Sequence, residues 1–275
     1  MTSRPSQPAA NRELNTASAL KLRVSEIVAS NSAGRLIGAL TRNRIRHQGV
    51  WFDVRSEDFS SRVRAQMFWG AYEGAETRMI HGLLQNSTTV VELGSSLGVT
   101  TAHIASIMDP AGHLVCVEAN PRLLPGLRAR TLPRAASLQV DLVHAAVTGH
   151  CGETMLALAA ETVGSRVGRP RPHESAVQVP ALTLREILHR TGVADFDLVS
   201  DIEGAEASFL LNDVSVLNRC KRAVIELHDT SVNGARVSAS DLMDAACAAG
   251  FETVGRHGPV VALTRAPGGS RALAL

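Results

Sequence analysis

The run E-L-G-S-S-L-G, Glu92 to Gly98, sets an acid two residues ahead of a loop bracketed by Gly94 and Gly98. Glycine lets a backbone turn sharply and approach a ligand with no Cβ in the way. The dinucleotide fingerprint is G-x-G-x-x-G; here Ser96 replaces its middle glycine and an acid precedes the loop. A carboxylate there repels a pyrophosphate and suits a positively charged ligand, such as a sulfonium or an amino group. By itself the loop also reads as a plain turn. A second acid, Glu118, ends V-C-V-E, where a carboxylate can accept hydrogen bonds from ribose hydroxyls. Capping of the helix that Asn120-Pro121 begins is its alternative role. Further on, D-I-E-G offers Asp201 and Glu203, and I-E-L-H ends in His228.

These last three are the candidates for acid–base work. Asp201 and Glu203 are two apart, so on an extended segment they share a side. Two carboxylates there repel each other and raise one pKa. They also suit a hard divalent ion, but two carboxylates alone make a poor metal site, and no metal is expected. His228 is the best single base, its ordinary pKa lying near neutrality. Glu226, two residues earlier, would face the same side and orient the imidazole, or pair with an arginine elsewhere. Each has an ordinary alternative: His228 as a structural hydrogen-bonder, Glu203 as a cap on A-E-A-S-F-L-L-N-D. Tyr72 or Glu73 would touch a ligand, or Tyr72 would pack with Trp69 in a core.

The elements positioning these residues alternate. Strands are expected at 88–93, 113–119, 138–147, 196–202, 222–228, 252–257 and 260–265, with helices after most of them, among them Thr100–Met108 and Pro121–Thr131. Short apolar strands separated by helices predict a doubly wound parallel sheet covered on both faces. Gly258-Pro259 joins the last two strands too closely for a helical crossover, so they form an antiparallel hairpin. Upstream, Leu20, Val24, Ile27 and Val28, then Leu36, Ile37 and Leu40, recur at helical spacing. That basic amphipathic stretch would suit a membrane surface, but helices packed on the main domain are the ordinary reading. R-I-R-H-Q-G-V-W-F-D-V predicts a small hairpin, and 61–84 one or two helices. Residues 1–16 read as a disordered tail.

The chain has 275 residues, 45% of them hydrophobic, and a net charge of +2. That is enough to bury a substantial core. No run of basic residues points to nucleic acid. Cys116, Cys151, Cys220 and Cys247 are widely spaced, which fits reduced thiols and no zinc module. With no signal peptide and no apolar run of membrane-spanning length, a soluble cytoplasmic protein without an integral membrane segment is expected. A homodimer is compatible with the sequence.

Taken in order, V-V-E-L-G-S-S-L-G-V-T-T, V-C-V-E-A-N-P-R-L-L-P-G-L, V-H-A-A-V-T-G, D-L-V-S-D-I-E-G-A-E and R-A-V-I-E-L-H resemble the FkbM-family S-adenosylmethionine-dependent methyltransferases. The resemblance covers roughly Thr88 to Arg265, with D-I-E-G-A-E its most specific element. It implies a class I methyltransferase Rossmann-like fold: five parallel strands plus the C-terminal antiparallel hairpin, with an N-terminal helical extension. Residues 17–82 would form the helices and hairpin of a cap, 83–266 the cofactor-binding domain, and 267–275 a tail. The implied cofactor is S-adenosyl-L-methionine, and the implied reaction is O-methylation of a small-molecule or glycan acceptor: a sugar, glycan, lipid or polyketide-like metabolite. Glu92, Gly94, Ser95, Ser96 and Gly98 would hold the methionine moiety and Glu118 the ribose. Asn120 with His144, Ala145, Ala146 and Val147 would flank the adenine. Many relatives carry a lysine shortly before D-x-E-G, where this chain has Val199-Ser200.

Two other classes stay open. An NAD-dependent oxidoreductase is disfavoured by the acid-x-Gly-x-x-x-Gly loop and the terminal hairpin. A non-catalytic methyltransferase-fold subunit is disfavoured by the intact motifs. The acceptor would be read by residues 17–87 and by E-T-V-G-S-R-V-G-R-P-R-P-H-E-S-A (161–176), which has the composition of a mobile lid or insertion.

Overall fold

The computed structural model describes residues 30–159, 163–172 and 174–266. The expected tails and the helix around Leu20 to Val28 lie outside the described residues. The chain divides between Tyr72 and Glu73 into two compact units.

The first holds α1 (Asn31–Thr41), β1 (Arg44–His47), β2 (Val50–Asp53) and α2 (Ser61–Phe68). Ser30 starts α1 by accepting a hydrogen bond from the Ala33 N–H at 3.2 Å. β1 and β2 form the expected hairpin. Of the apolar set on α1, Ile37 is buried, whereas Leu36 and Leu40 are exposed.

The second unit opens with α3 (Gly74–Leu83) and β3 (Thr89–Leu93), followed by α4 (Val99–Ile107), β4 (His113–Glu118), α5 (Leu124–Thr131) and β5 (Gln139–His144). Next come β6 (Ala146–Val147), β7 (Gly152–Leu158), β8 (Arg166–Val167) and β9 (Ser175–Leu182), then α6 (Leu184–Thr191), β10 (Phe196–Ser200) and α7 (Ala207–Leu210). A 3-10 turn at Val214–Arg219 leads to β11 (Cys220–Glu226), β12 (Thr230–Val232) and β13 (Ala235–Val237). The unit closes with α8 (Ala239–Ala248), β14 (Phe251–His257) and β15 (Val260–Arg265).

The main sheet runs β14-β15-β11-β10-β3-β4-β5. β5, β4, β3, β10 and β11 are mutually parallel, and β15 is antiparallel to both β11 and β14. This is the expected doubly wound sheet with its terminal hairpin.

Why such apolar runs sit here is visible in how neighbours divide. Val91, Val115, Leu198 and Ala223 join a core with α6, α7 and α8, through Leu184, Ile187, Phe209 and Leu242. Val90, Leu114, Val199 and Val224, one position over, join a second core with α3 and α4, through Ile80, Leu84 and Ile104. Successive strand residues face opposite sides, so a sheet covered twice demands unbroken apolar strands. Each fully buried aliphatic side chain contributes roughly 1.5–3 kcal/mol.

One expected strand is corrected, and two features are added to the expected fold. The strand expected at 138–147 breaks at Ala145, whose N–H bonds the Glu118 carbonyl at 3.2 Å. Beyond the break, β6 enters a separate sheet of order β6-β9-β7-β8. Within 161–176, expected as a mobile lid or insertion, the described residues contribute β8 and the start of β9 to that sheet, both in antiparallel ladders with β7. A further hairpin, β12–β13, follows β11. Its turn, Asn233-Gly234, has φ of 51° and 82°, the left-handed pair that tight hairpins require.

At the end of the sheet where β10 and β11 begin, Arg222 ties several elements together. It donates to Asp197 at 2.6 and 3.0 Å, to the Leu83 carbonyl at 2.7 Å and to Ser87 Oγ at 3.0 Å. Asp197 is only 5% exposed. Arg222→Ala would leave that carboxylate buried without its cation, and a loss of about 3–5 kcal/mol is expected. Denaturant unfolding of the two proteins measures it, and a loss below about 1 kcal/mol would show that the pair does not carry the clamp.

Candidate functional site

The opposite end of the sheet collects the chemistry. β3 ends at Leu93, and the chain turns at Gly94 with φ +87°. A Cβ on Gly94 would lie 1.9 Å from the Asp201 carbonyl oxygen, so this position requires glycine for space as well as conformation. The Asp201 N–H in turn donates to the Leu93 carbonyl at 3.0 Å. The exits of β3 and β10 are thereby pinned together.

Glu92 is wholly buried beneath this loop. Ser95 Oγ and Thr101 Oγ1 donate to its Oε2 at 2.8 and 2.6 Å, while Oε1 has no hydrogen-bond partner. Burial pushes its pKa up, the two hydroxyls pull it down, and the balance falls at about 7. Ser96, at φ +46°, donates its N–H to Glu118 Oε2 at 2.7 Å, and the Asn120 N–H donates to Oε1 at 2.6 Å. Glu118 therefore links the exits of β3 and β4. Burial raises its pKa against the pull of those N–H groups. Gly98 opens α4 at φ +74°. Asn120 Oδ1 accepts from the Arg122 N–H at 3.1 Å, and His144 Nε2 lies 3.2 Å from the Ala119 carbonyl. Ala145, Ala146 and Val147 are buried beside them. All the residues expected at the cofactor are thus brought to the exits of β3, β4 and β5.

Asp201, Glu203 and His228 also meet, though not for the reason expected. β10 stops at Ser200, and the chain turns through Glu203 (φ +54°) and Gly204 (φ +100°). A turn, not strand alternation, brings the two carboxylates to one place. His228 Nε2 is 3.8 Å from Asp201 Oδ1, 3.7 Å from Glu203 Oε2 and 3.6 Å from Glu226 Oε1. None of these is a hydrogen bond. The imidazole is oriented by Glu206, whose buried Oε1 accepts from Nδ1 at 3.1 Å and from the Ile202 N–H at 3.1 Å. That corrects the expectation for Glu226. Nor does Glu203 cap a helix: α7 starts at Ala207 with no side-chain cap.

The expected near-neutral pKa of His228 is corrected too. Burial lowers it, but the Glu206 hydrogen bond and the charges of Glu206, Asp201 and Glu203 outweigh burial and push it to about 9. Desolvation and mutual repulsion raise Asp201, while burial raises Glu226.

Sequence reading missed Glu76 and passed over Glu206. Glu76, on α3, is 3% exposed and has no hydrogen-bond or ion-pair partner among the described residues. It lies within electrostatic reach of Glu73, Asp201, Glu92 and Glu226, and burial with their repulsion raises its pKa strongly. Glu73 accepts a hydrogen bond from Thr100 on α4. An acid at the buried face of an amphipathic helix was the available signal for Glu76. For the β12–β13 hairpin it was Asn-Gly in S-V-N-G-A-R-V.

The methyltransferase FkbM domain profile matches residues 92–253, more than half of the chain. The chain belongs to the FkbM methyltransferase family. Its reaction is methyl transfer from S-adenosylmethionine. No curated protein sequence matches the chain. Among solved structures it is similar to an Aeropyrum pernix fibrillarin with natively bound S-adenosyl-L-methionine (13% identity, 80% of each chain, TM-score 0.43). It is also similar to a putative RNA methyltransferase from Pyrococcus horikoshii (11% identity, 73% of this chain and 84% of that one, TM-score 0.40). A methyltransferase from Geobacter sulfurreducens is 17% identical over 68% of this chain and 76% of that one, with a TM-score of 0.39.

The residues present fit this cofactor. It carries sulfonium and ammonium charges, and the site offers a buried carboxylate at Glu92 whose Oε1 has no hydrogen-bond partner. The raised pKa of Glu92 also makes a stability prediction. Its folded value of about 7 exceeds the ordinary 4.5, so the folded state holds this proton longer than the unfolded chain does. The associated stability is full below about pH 4.5 and lost as pH rises through about 7. Glu92→Gln should make the fall in denaturation midpoint across that window shallower. An unchanged slope would show that Glu92 does not titrate there.

Proposed function

We propose that the chain is an O-methyltransferase acting on a hydroxyl of a sugar, glycan, lipid or polyketide-like metabolite. The observation that carries this reading is the set of buried carboxylates at the exits of β3, β10 and β11. An uncompensated buried charge is costly, so such a site favours a cationic methyl donor. Glu92, Gly94, Ser95, Ser96 and Gly98 would cradle its methionine moiety. Glu118, already fixed by two backbone N–H groups, would accept from the ribose hydroxyls. Asn120 and His144 to Ala146 would line the adenine.

The bound cofactor supplies an activated methyl group with a good leaving group. What remains for this chain is to place the acceptor oxygen about 3 Å from the methyl carbon, in line with the C–S bond. It must also take up the hydroxyl proton, a contribution of roughly 10²–10⁴-fold. Asp201 and Glu203 offer proton-accepting oxygens for these tasks, and His228, raised by the acids around it, stands beside them as a positioning group. The β12–β13 hairpin stands beside it: a Cβ on Gly204 would meet Thr230 Oγ1 at 3.0 Å. That hairpin and β7–β9 are the described elements of this unit best placed to read the acceptor.

Calorimetry with S-adenosylhomocysteine tests the cofactor half. Micromolar binding is expected, weakened in Glu118→Ala by about 1.5–3 kcal/mol, the scale of hydrogen bonds to a charged group. Absence of binding to the wild type would refute the assignment. Isotope-labelled methyl donor offered with hydroxylated sugars, lipids and polyketides tests the other half. An O-methyl product is expected, with kcat roughly 10²–10⁴-fold lower in His228→Gln while S-adenosylhomocysteine still binds. Methylation only at nitrogen or carbon would overturn the O-transfer reading. Binding with no transfer to any acceptor would favour a non-catalytic subunit.

A further inference from the structure

We propose that Asp201, Glu203 and His228 form a binding site for one hard divalent cation of the magnesium or manganese class. The sequence paired only the two carboxylates, too few for a metal site; the fold adds the imidazole. One ligand atom from each residue lies within 4.8 Å of the others. The separations of His228 Nε2 from Asp201 Oδ1 and Glu203 Oε2, 3.8 and 3.7 Å, are too long for hydrogen bonds. They suit two ligands of one ion, since bonds of about 2.1–2.3 Å place neighbouring ligand atoms about 3–4 Å apart. Nδ1 is held by Glu206, leaving Nε2 directed at the gap. Carboxylates fix metal-bound histidines in this way. Two carboxylates and one imidazole, with further positions left for water or an acceptor oxygen, match hard oxygen-preferring ions better than thiophilic ones.

Two observations outside the cluster's own hydrogen bonds point to a cation. Asp201 Oδ1, the oxygen facing His228, is buried with no hydrogen-bond partner. Glu76, on a different element and almost completely buried, lies within electrostatic reach of Asp201 and has no donor of its own among the described residues. No arginine or lysine pairs with Asp201, Glu203, Glu206 or Glu226 among the described residues; His228 is their shared basic neighbour. On the proposed reading the cofactor's charges would face Glu92, leaving His228 as the basic neighbour of the Asp201–Glu203 pair among the described residues. On the methyl-transfer reading, on which this functional role rests, the ion holds the acceptor oxygen and favours its ionised form.

The test is electron paramagnetic resonance of Mn²⁺ added to the full-length wild-type chain, with Mg²⁺ as competitor. One Mn²⁺ per chain is expected, displaced by Mg²⁺, and its spin-echo modulation should carry the nitrogen coupling of a bound imidazole. Asp201→Asn and His228→Gln should each weaken binding by at least about tenfold. No bound Mn²⁺ at millimolar concentration, or binding without nitrogen coupling, would overturn the site. The nitrogen signal is read on the wild type, so a variant that fails to fold does not blunt the test. Activity gives an independent check. Methyl transfer that survives chelator treatment, with S-adenosylhomocysteine binding intact, would remove the ion and leave the methyltransferase reading standing. Loss of S-adenosylhomocysteine binding in untreated protein would strike that reading instead.

Discussion

Negative charge gathered around a single histidine, most of it withdrawn from water, is the constraint around which this site is organised. Glu73, Glu76, Glu92, Asp201, Glu203, Glu206 and Glu226 come from four separate stretches of chain, yet each feels others of the set. Loss of hydration, with repulsion from neighbouring acids, raises the pKa values of Glu76, Glu92, Asp201 and Glu226. A fold tolerates that cost where a ligand relieves it. On the proposed reading a sulfonium cofactor would relieve it near Glu92, and a divalent ion would relieve it at Asp201 and Glu203. The single histidine among them, its pKa raised to about 9, shows the strength of the field.

Holding such a cluster together needs rigidity elsewhere. The Arg222–Asp197–Ser87 network clamps the far end of β10 and β11 to the start of β3. Cores on both faces of the sheet immobilise the strands between. At the site itself the decisive contact is steric: the Asp201 carbonyl passes where a side chain on Gly94 would stand. The cofactor loop and the D-I-E-G turn therefore share one fixed geometry, although about a hundred residues separate them.

The added elements divide by position. The four-stranded sheet leaves the main sheet at Ala145, next to the residues assigned to the adenine. The β12–β13 hairpin leaves it just beyond His228, next to the cluster. Family membership accounts for methyl transfer, and these additions are where acceptor choice has room to vary.

The sequence alone determined the seven strands of the main sheet, the antiparallel end, the glycine loop and the acids at the strand ends. It could do so because burial on both faces imposes apolar runs, and tight backbone turns impose glycine; both are local demands written residue by residue. Only the tertiary structure decided that Glu206, not Glu226, orients His228, that the surrounding acids raise His228 to about 9, and that Glu76, on a helix, comes within electrostatic reach of Asp201. It also decided that residues 166–167 and 175–182 are strands, since their partners on β7 lie across a loop. Pairing between distant segments, and the pKa values that follow from it, depend on distances through space, and a pattern of residue types does not encode those distances.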